Sequence, residues 1–307
     1  MALIFSILFI TAQSLISQTH AFHTSSEVPL TLQTRHSAST TSLATVASRT
    51  APSVVVDKFD SYASNFESHL VDIVDNLKYC APQSVASAAS ERITNDRNGK
   101  LYSSSLDAGC GTGLAGPGLR QLVSGSLIGV DLSPKMAELA AELVIDDGPI
   151  PMVENRMRRC AETARTAFGS DAPNRLYDGV FTADLLNLSG ANFLDGFGHK
   201  VQKIPTEHYD LIVSADVLVY FGAMDDILKV FSDALAVGGD VIFTTETMKC
   251  GDYNWVETSS GRYAQSPDYV ARMASEAGLT KVSQEAFTPR NESGEKVLGT
   301  LHIFTKE

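Results

Sequence analysis

Beyond Val54 the chain alternates between two apolar periods, the short solid or two-residue runs of strands and the 3.6-residue repeat of helices. Phe59, Tyr62, Phe66, Leu70, Ile73 and Leu77 recur at helical spacing and predict an amphipathic helix ahead of the first strand. Strands are predicted over 103–107 and 127–131; the second leads into Ser133-Pro134, an N-cap with proline at the first helical position, and a helix over 136–145. A further helix is expected over 152–168, basic at Arg156, Arg158, Arg159 and Arg165. Strands three to five fall over 177–183, 209–214 and 241–245, with a helix over 227–236 closed by Gly238-Gly239 and another running from Ser266-Pro267 to Gly278. Segments 281–287 and 297–304, on either side of the polar turn 289–294, predict a closing hairpin.

Strands alternating with helices predict an α/β fold, a doubly wound, mostly parallel sheet covered on both faces, here with an antiparallel hairpin at its C-terminal end. Net charge is −12, which offers no basic footprint for nucleic acid. The cysteines, Cys80, Cys110, Cys160 and Cys250, are far apart and form no CxxC pair, so neither a disulfide framework nor a metal site is expected.

The strongest chemical signal is the run Leu106-Asp107-Ala108-Gly109-Cys110-Gly111-Thr112-Gly113 at the end of strand one. Glycines at a strand-to-helix turn let backbone approach a ligand where a Cβ would clash. Strand two ends in Asp131, placed to accept from both hydroxyls of a ribose. That much also fits a nicotinamide oxidoreductase, since Gly111 to Gly116 matches GxGxxG. Asp107 separates the two. It stands at the mouth of the turn, where a carboxylate repels a pyrophosphate but attracts the ammonium and sulfonium of S-adenosylmethionine. Asp184-Leu185 at the end of strand three supplies a third acid, with an apolar neighbour for an adenine ring. A third reading is a non-catalytic module that binds S-adenosylmethionine to regulate a partner.

On these stretches, together with Phe59 to Leu70, Gly129 to Met136, Tyr209 to Tyr220 and Ser260 to Ser266, the chain from about Val55 to Lys306 resembles the class I, seven-stranded, Rossmann-like S-adenosylmethionine-dependent methyltransferases. It is most similar to the small-molecule type associated with tetratricopeptide repeats and to the Williams–Beuren-region methyltransferase-like proteins. The resemblance implies that Asp107, Gly109, Gly111 and Gly113 hold the methionine end, Asp131 and Leu132 the ribose, and Asp184 and Leu185 the adenine. It places Ser214-Ala215 beside the sulfonium and closes the site with Tyr62 and Phe66. The segment from about Asp146 to Arg175 is longer than in that family and has no assigned role.

Methyl transfer from a sulfonium is an in-line displacement that alignment and desolvation can accelerate, so a dedicated base is not obligatory. Asp216 and Tyr220, after strand four, lie where an acceptor would sit; Asp216 serves either the acceptor or the scaffold of the cofactor loop. Tyr263 is a further catalytic candidate, and His69 and Arg262 are candidates for binding substrate. In an acidic domain an anionic small molecule needs a local cation, and a guanidinium grips a carboxylate through two parallel hydrogen bonds. Arg262 is therefore the expected anchor of a small carboxylate-bearing acceptor.

Residues 2–11 form an apolar run of signal-peptide length, too short to span a bilayer, and Thr19-His20-Ala21 supplies a small residue for cleavage. Residues 22–53 hold 14 Ser or Thr among 32 positions, with Arg35 and Arg49 against Glu27 alone. Signal peptide (1–21), the Ala21-Phe22 junction and a transit-like segment (22–53) resemble the bipartite presequence that carries proteins into secondary plastids by the secretory route. The other reading is a plain secretory signal followed by a linker, for a secreted or endomembrane protein. The catalytic domain would occupy 54–307, with no membrane span in the mature protein. A fluorescent fusion of residues 1–53 is expected to reach the plastid of a diatom, and Phe22→Ala to leave it in the secretory route; secretion of the unaltered fusion would refute plastid targeting.

Overall fold

The computed structural model describes residues 48–63, 79–143, 175–188, 193–195, 200–201, 208–248, 253–292 and 294–307. In chain order the elements are α1 (Pro52–Ala63), α2 (Ala81–Asn95), β1 (Tyr102–Ala108), α3 (Gly116–Arg120), β2 (Val123–Asp131), α4 (Pro134–Ala141), β3 (Gly179–Thr182), β4 (Phe193–Asp195), β5 (Lys200–Val201) and β6 (Tyr209–Ser214). There follow α5 (Asp225–Ala234), β7 (Leu235–Thr247), β8 (Trp255–Glu257), β9 (Tyr263–Gln265), α6 (Pro267–Glu276), β10 (Leu279–Phe287), the hairpin β11 (Asn291–Glu292) with β12 (Glu295–Lys296), and β13 (Gly299–Lys306). No helix among the described residues is long and apolar enough to cross a membrane.

The seven-stranded core runs β3-β2-β1-β6-β7-β13-β10. Its first five strands are parallel, and β13 enters antiparallel to both β7 and β10. Short antiparallel strands β4 and β5 extend the β3 edge, while β9 and β8 pair on at the carboxyl end of β7. Chain order runs outward from β1 in one direction through β2 and β3, and from β6 in the other through β7. The crevice between β1 and β6 is therefore the switch point at which such sheets bind ligands.

Side chains leave each strand on alternate faces, and the two faces form two apolar layers. Leu106, Ile128, Val130 and Ile212 pack toward Ile227, Phe231 and Val270 of α5 and α6. Leu127, Leu211 and Val213 pack toward α2, α3 and α4. Helix α2 buries mainly small residues (Ala81, Ala86, Ala88, Ala89), which bring its axis close to the sheet. It is also tied by charge: Asp240 of β7, fully buried, accepts from Arg92 Nη2 at 2.9 Å and from the Tyr102 hydroxyl at 2.8 Å.

Several expectations shift. Strand four is found at 209–214 as read, and Ser133 accepts from the Met136 N–H as an N-cap should. Gly238-Gly239 does not close a helix. Helix α5 ends at Ala234, and the glycines lie within β7, where the register with β6 steps from Tyr209↔Leu235 to Leu211↔Asp240 and Gly238 takes φ +77°. The first helix begins at Pro52, earlier than its apolar repeat implied; its predicted continuation beyond 63, the helix over 152–168 and residues 1–47 lie outside the described residues. Residues 48–53 belong to the folded unit, since the Ser48 carbonyl accepts from the Gly222 and Ala223 N–H groups and Thr50 N–H donates to the Tyr220 carbonyl.

Asp240→Ala would leave Arg92 and the buried Tyr102 hydroxyl without their shared acceptor. Urea unfolding is expected to show a loss of about 3–5 kcal/mol, the usual result of removing one partner from a buried ion pair. A loss within experimental error would mean that water replaces the carboxylate there.

Candidate active site

At the carboxyl ends of β1, β2 and β6, beneath α1, lies a cavity of about 470 Å³, within the range typical of small-molecule sites. Its floor is the glycine turn. Gly109 has φ +80°, and a Cβ there would stand 2.3 Å from Val217, so only glycine fits. Gly113 also has positive φ but faces Leu143 and Tyr177 and does not reach the cavity, so its role is packing rather than ligand contact.

Three acids follow along the strand ends. Asp107 is buried and accepts from the Tyr177 hydroxyl at 2.7 Å. Burial pushes its carboxyl up to about 7; the Tyr177 hydrogen bond works against the rise, and the charge of Asp131 adds to it. Asp131 accepts from the N–H groups of Gly111 and Ser133, each at 2.8 Å. Those bonds orient it but do not cancel its desolvation, which carries it to about 6. Asp184 opens a short 3₁₀ turn, accepts from the Leu186 N–H, and is gripped by Arg49. Leu132 and Leu185 line the cavity beside their acids, and Tyr62 of α1 roofs it.

The other end carries a charge network. Asp216 holds φ +58°, a conformation uncommon for a residue with a side chain and frequent at functional sites. Its N–H donates to Thr244 Oγ1 at 2.8 Å, and Arg290 donates to its carboxylate at 2.6 Å. Arg290 also donates to Glu246, which in turn lies 3.5 Å from Arg262 Nη1; Glu292 accepts from the same nitrogen at 3.0 Å. Burial raises the pKa of Asp216, and Arg290 opposes the rise. Tyr220 receives the Phe59 ring edge-on at 5.8 Å and the Lys58 ammonium at 3.4 Å from its hydroxyl. Lys58 is held below the ordinary lysine range, first by burial and then by Arg262.

Of the residues expected at the site, Tyr62, Asp107, Gly109, Gly111, Asp131, Leu132, Asp184, Leu185, Asp216, Tyr220 and Arg262 share this one cavity. Ser214 does not: its hydroxyl donates to the Ala108 carbonyl and ties β6 to β1, leaving Ala215 as the wall. Nor does Tyr263, which is buried in β9 with its ring edge-on to Trp255. Phe66 and His69 lie outside the described residues. Arg262 reaches the cavity, yet as a member of an ion network rather than as the lone cation that was expected. Arg49, Lys58, Tyr79 and Arg290 also line the cavity and were not anticipated.

This strand order, with a glycine turn and an acid at each of three successive strand ends, is that of the class I methyltransferases, which take their methyl group from S-adenosylmethionine. The methyltransferase-domain family matches residues 71–284, well over half the chain. The protein belongs to that family. Its structure is similar to that of magnesium protoporphyrin IX methyltransferase from Synechocystis PCC 6803 with bound SAM, at 14% identity and a TM-score of 0.52, over 86% of this chain and 100% of that one. It is also similar to the 1,6-didemethyltoxoflavin-N1-methyltransferase of Burkholderia thailandensis, at 14% identity and a TM-score of 0.52, over 85% and 93% of the two chains. Comparison with curated proteins gave no match.

A ligand ammonium beside Asp107 favours its carboxylate and lowers its pKa, so binding releases a proton wherever the free protein holds one. Affinity for S-adenosylmethionine is expected to rise with pH up to about 7. It should fall again as the ligand's own α-ammonium titrates near about 8. Asp107→Asn should move the acid limb down to about 6, where Asp131 titrates. Calorimetric titrations across this span, in buffers of different ionisation enthalpy, check both points; an affinity flat between about pH 5.5 and about 7 would remove Asp107 from ammonium recognition.

Proposed function

We propose that this enzyme transfers the methyl group of S-adenosylmethionine to a small acceptor that carries a carboxylate. The observation that carries the donor half is the row of acids along one cavity. Asp107, buried and held well above the ordinary carboxylate range, is matched to an ammonium. Asp131, oriented by two N–H groups, retains lone pairs for the ribose hydroxyls, and Leu185 offers an apolar face for adenine. A pyrophosphate in the same place would meet the carboxylates of Asp107 and Asp131, which argues against a nicotinamide cofactor.

The acceptor half rests on the far end, where Lys58, Arg262 and Arg290 line the cavity against the single lining acid Asp216. An incoming carboxylate would join this network and compete with Glu292, the half-exposed partner of Arg262. The atom methylated can be sulfur, oxygen or nitrogen. S-adenosylmethionine supplies an activated methyl group; the protein's part is to hold the acceptor in line and exclude water, with Tyr220, Phe59 and Tyr62 forming the apolar cover. The Burkholderia neighbour holds the small molecule 1,6-didemethyltoxoflavin beside S-adenosylhomocysteine, which fits a cleft of this class accommodating a metabolite rather than a macromolecule.

Asp131→Ala is expected to weaken S-adenosylmethionine and S-adenosylhomocysteine alike by about 1.5–3 kcal/mol, the worth of hydrogen bonds to a charged acceptor. Labelled S-adenosylmethionine incubated with the protein and a metabolite extract, divided by anion exchange, should place the label in the anionic small-molecule fraction. Label confined to protein, or to neutral and cationic metabolites, would refute the carboxylate; tight binding of NADH with none of S-adenosylmethionine would refute the donor.

A further inference from the structure

Residues 48–51 cross the rim of the cleft as a strap. The Ser48 carbonyl accepts from the N–H groups of Gly222 and Ala223 at 2.8 and 3.0 Å, and the Thr50 N–H donates to the Tyr220 carbonyl at 2.9 Å. Between them Arg49 forms a β-bridge with Phe221 and lays its guanidinium over that ring, 5.3 Å from the centroid. The side chain then turns to Asp184: Nη1 donates to Oδ1 at 3.1 Å and Nη2 to Oδ2 at 2.7 Å. Arg49, Thr50, Asp184 and Leu185 all line the cavity, so the strap walls the site without filling it.

The Leu186 N–H holds one oxygen of the Asp184 carboxylate, and a planar fork that takes both oxygens fixes the plane of the group. Oδ1 is occupied twice, by Arg49 and by the Leu186 N–H. Among the described residues Oδ2 accepts from Arg49 alone, which leaves it a lone pair. We propose that Arg49 is a cofactor-positioning residue, whose grip aims Asp184 Oδ2 at the 6-amino group of adenine while the strap forms the wall of the adenine end. This rests on the methyltransferase reading above. It follows that the functional chain begins no later than Ser48. Proteolysis at the composition boundary near 53 would strip the adenine wall, so a protease that removes the leader must cut upstream of the strap.

The Arg49–Asp184 pair is partly exposed, with side chains 21% and 31% accessible, so its loss should disturb the fold little and the variants should report on binding. The full chain, wild type and Arg49→Ala, is titrated calorimetrically with S-adenosylhomocysteine and with S-inosylhomocysteine, which has an oxo group in place of the 6-amino group. Wild type is expected to prefer the amino compound by about tenfold or more. Arg49→Ala should lose most of that preference by weakening S-adenosylhomocysteine selectively. Arg49→Lys should restore only part, because an ammonium cannot hold both oxygens. Asp131→Ala should weaken both ligands and leave the preference intact. An Arg49→Ala protein that retains the preference, or weakens both ligands equally, overturns the proposal. Should that variant not fold, Arg49→Gln carries the same comparison. Wild type binding neither ligand would instead bring down the methyltransferase reading, a result distinct from a variant indifferent to Arg49.

Discussion

The cleft is organised around buried negative charge at the carboxyl ends of parallel strands. Asp107 and Asp131 stand in one pocket, each disfavoured by desolvation and Asp107 further by its neighbour, and the only described relief is a tyrosine hydroxyl and a few N–H groups. Carboxylates taken out of water with no cation beside them cost stability. They become favourable when a ligand brings positive charge and hydroxyl groups. The glycine turn depends on the same condition, since Gly111 gives its N–H to Asp131 and Gly109 lets Val217 close against the backbone. Sheet order then matters as the device that sets three such strand ends side by side.

At the other end of the cavity charge is handled differently. Arg290 and Arg262 are each shared between carboxylates, and Asp216 is kept in a left-handed conformation by a hydrogen bond behind it and an arginine in front. Two of the carboxylates come from elements that the acids' end does not use: Glu246 from β7 and Glu292 from the β11–β12 hairpin. The hairpin is small and Glu292 is half-exposed, so this part of the network is the more open to solvent. Under the proposed function, that difference in burial separates a donor end from an acceptor end whose contacts a ligand can replace.

Much of this was legible in the sequence, for reasons that also mark where legibility stops. Segment 209–214 reads directly because its apolar run is buried on both faces of the sheet and bounded by polar residues. The glycine turn and Asp131 read well because a short strand–turn–helix unit fixes their relation locally. Gly238-Gly239 misled because glycine after a helix is ordinarily a C-cap, and only the partner strand reveals that it forms a bulge. Helix α2 went unread because alanine and serine give little amphipathic contrast. Arg290 and Arg49 were invisible for a different reason: their partners lie 74 and 135 positions away. The hairpin turn around Arg290 looks like any polar turn, and Arg49 sits in a Ser/Thr-rich stretch whose composition speaks of targeting. Composition averages over a segment, whereas a site needs one residue from it.

The polarity of the cleft also limits what its acids can do for the reaction. As the methyl group leaves, the sulfonium loses its positive charge, so a carboxylate near the donor stabilises the ground state at least as much as the transition state. Such an interaction lowers the concentration of donor needed for binding and does not by itself accelerate the chemical step. Under the proposed function, Asp107 and Asp131 are therefore instruments of affinity. Acceleration has to come from elsewhere, from alignment of the acceptor and exclusion of water, for which Tyr220, Asp216 and the aromatic residues of α1 are the candidates that line the cavity. That cover and the Arg49 strap are consecutive in the chain, since α1 begins at Pro52. A single stretch, residues 48–63, thus contributes both the wall beside Asp184 and the roof at Tyr62, and it is fastened through Tyr220, Gly222 and Ala223 to the segment that follows β6.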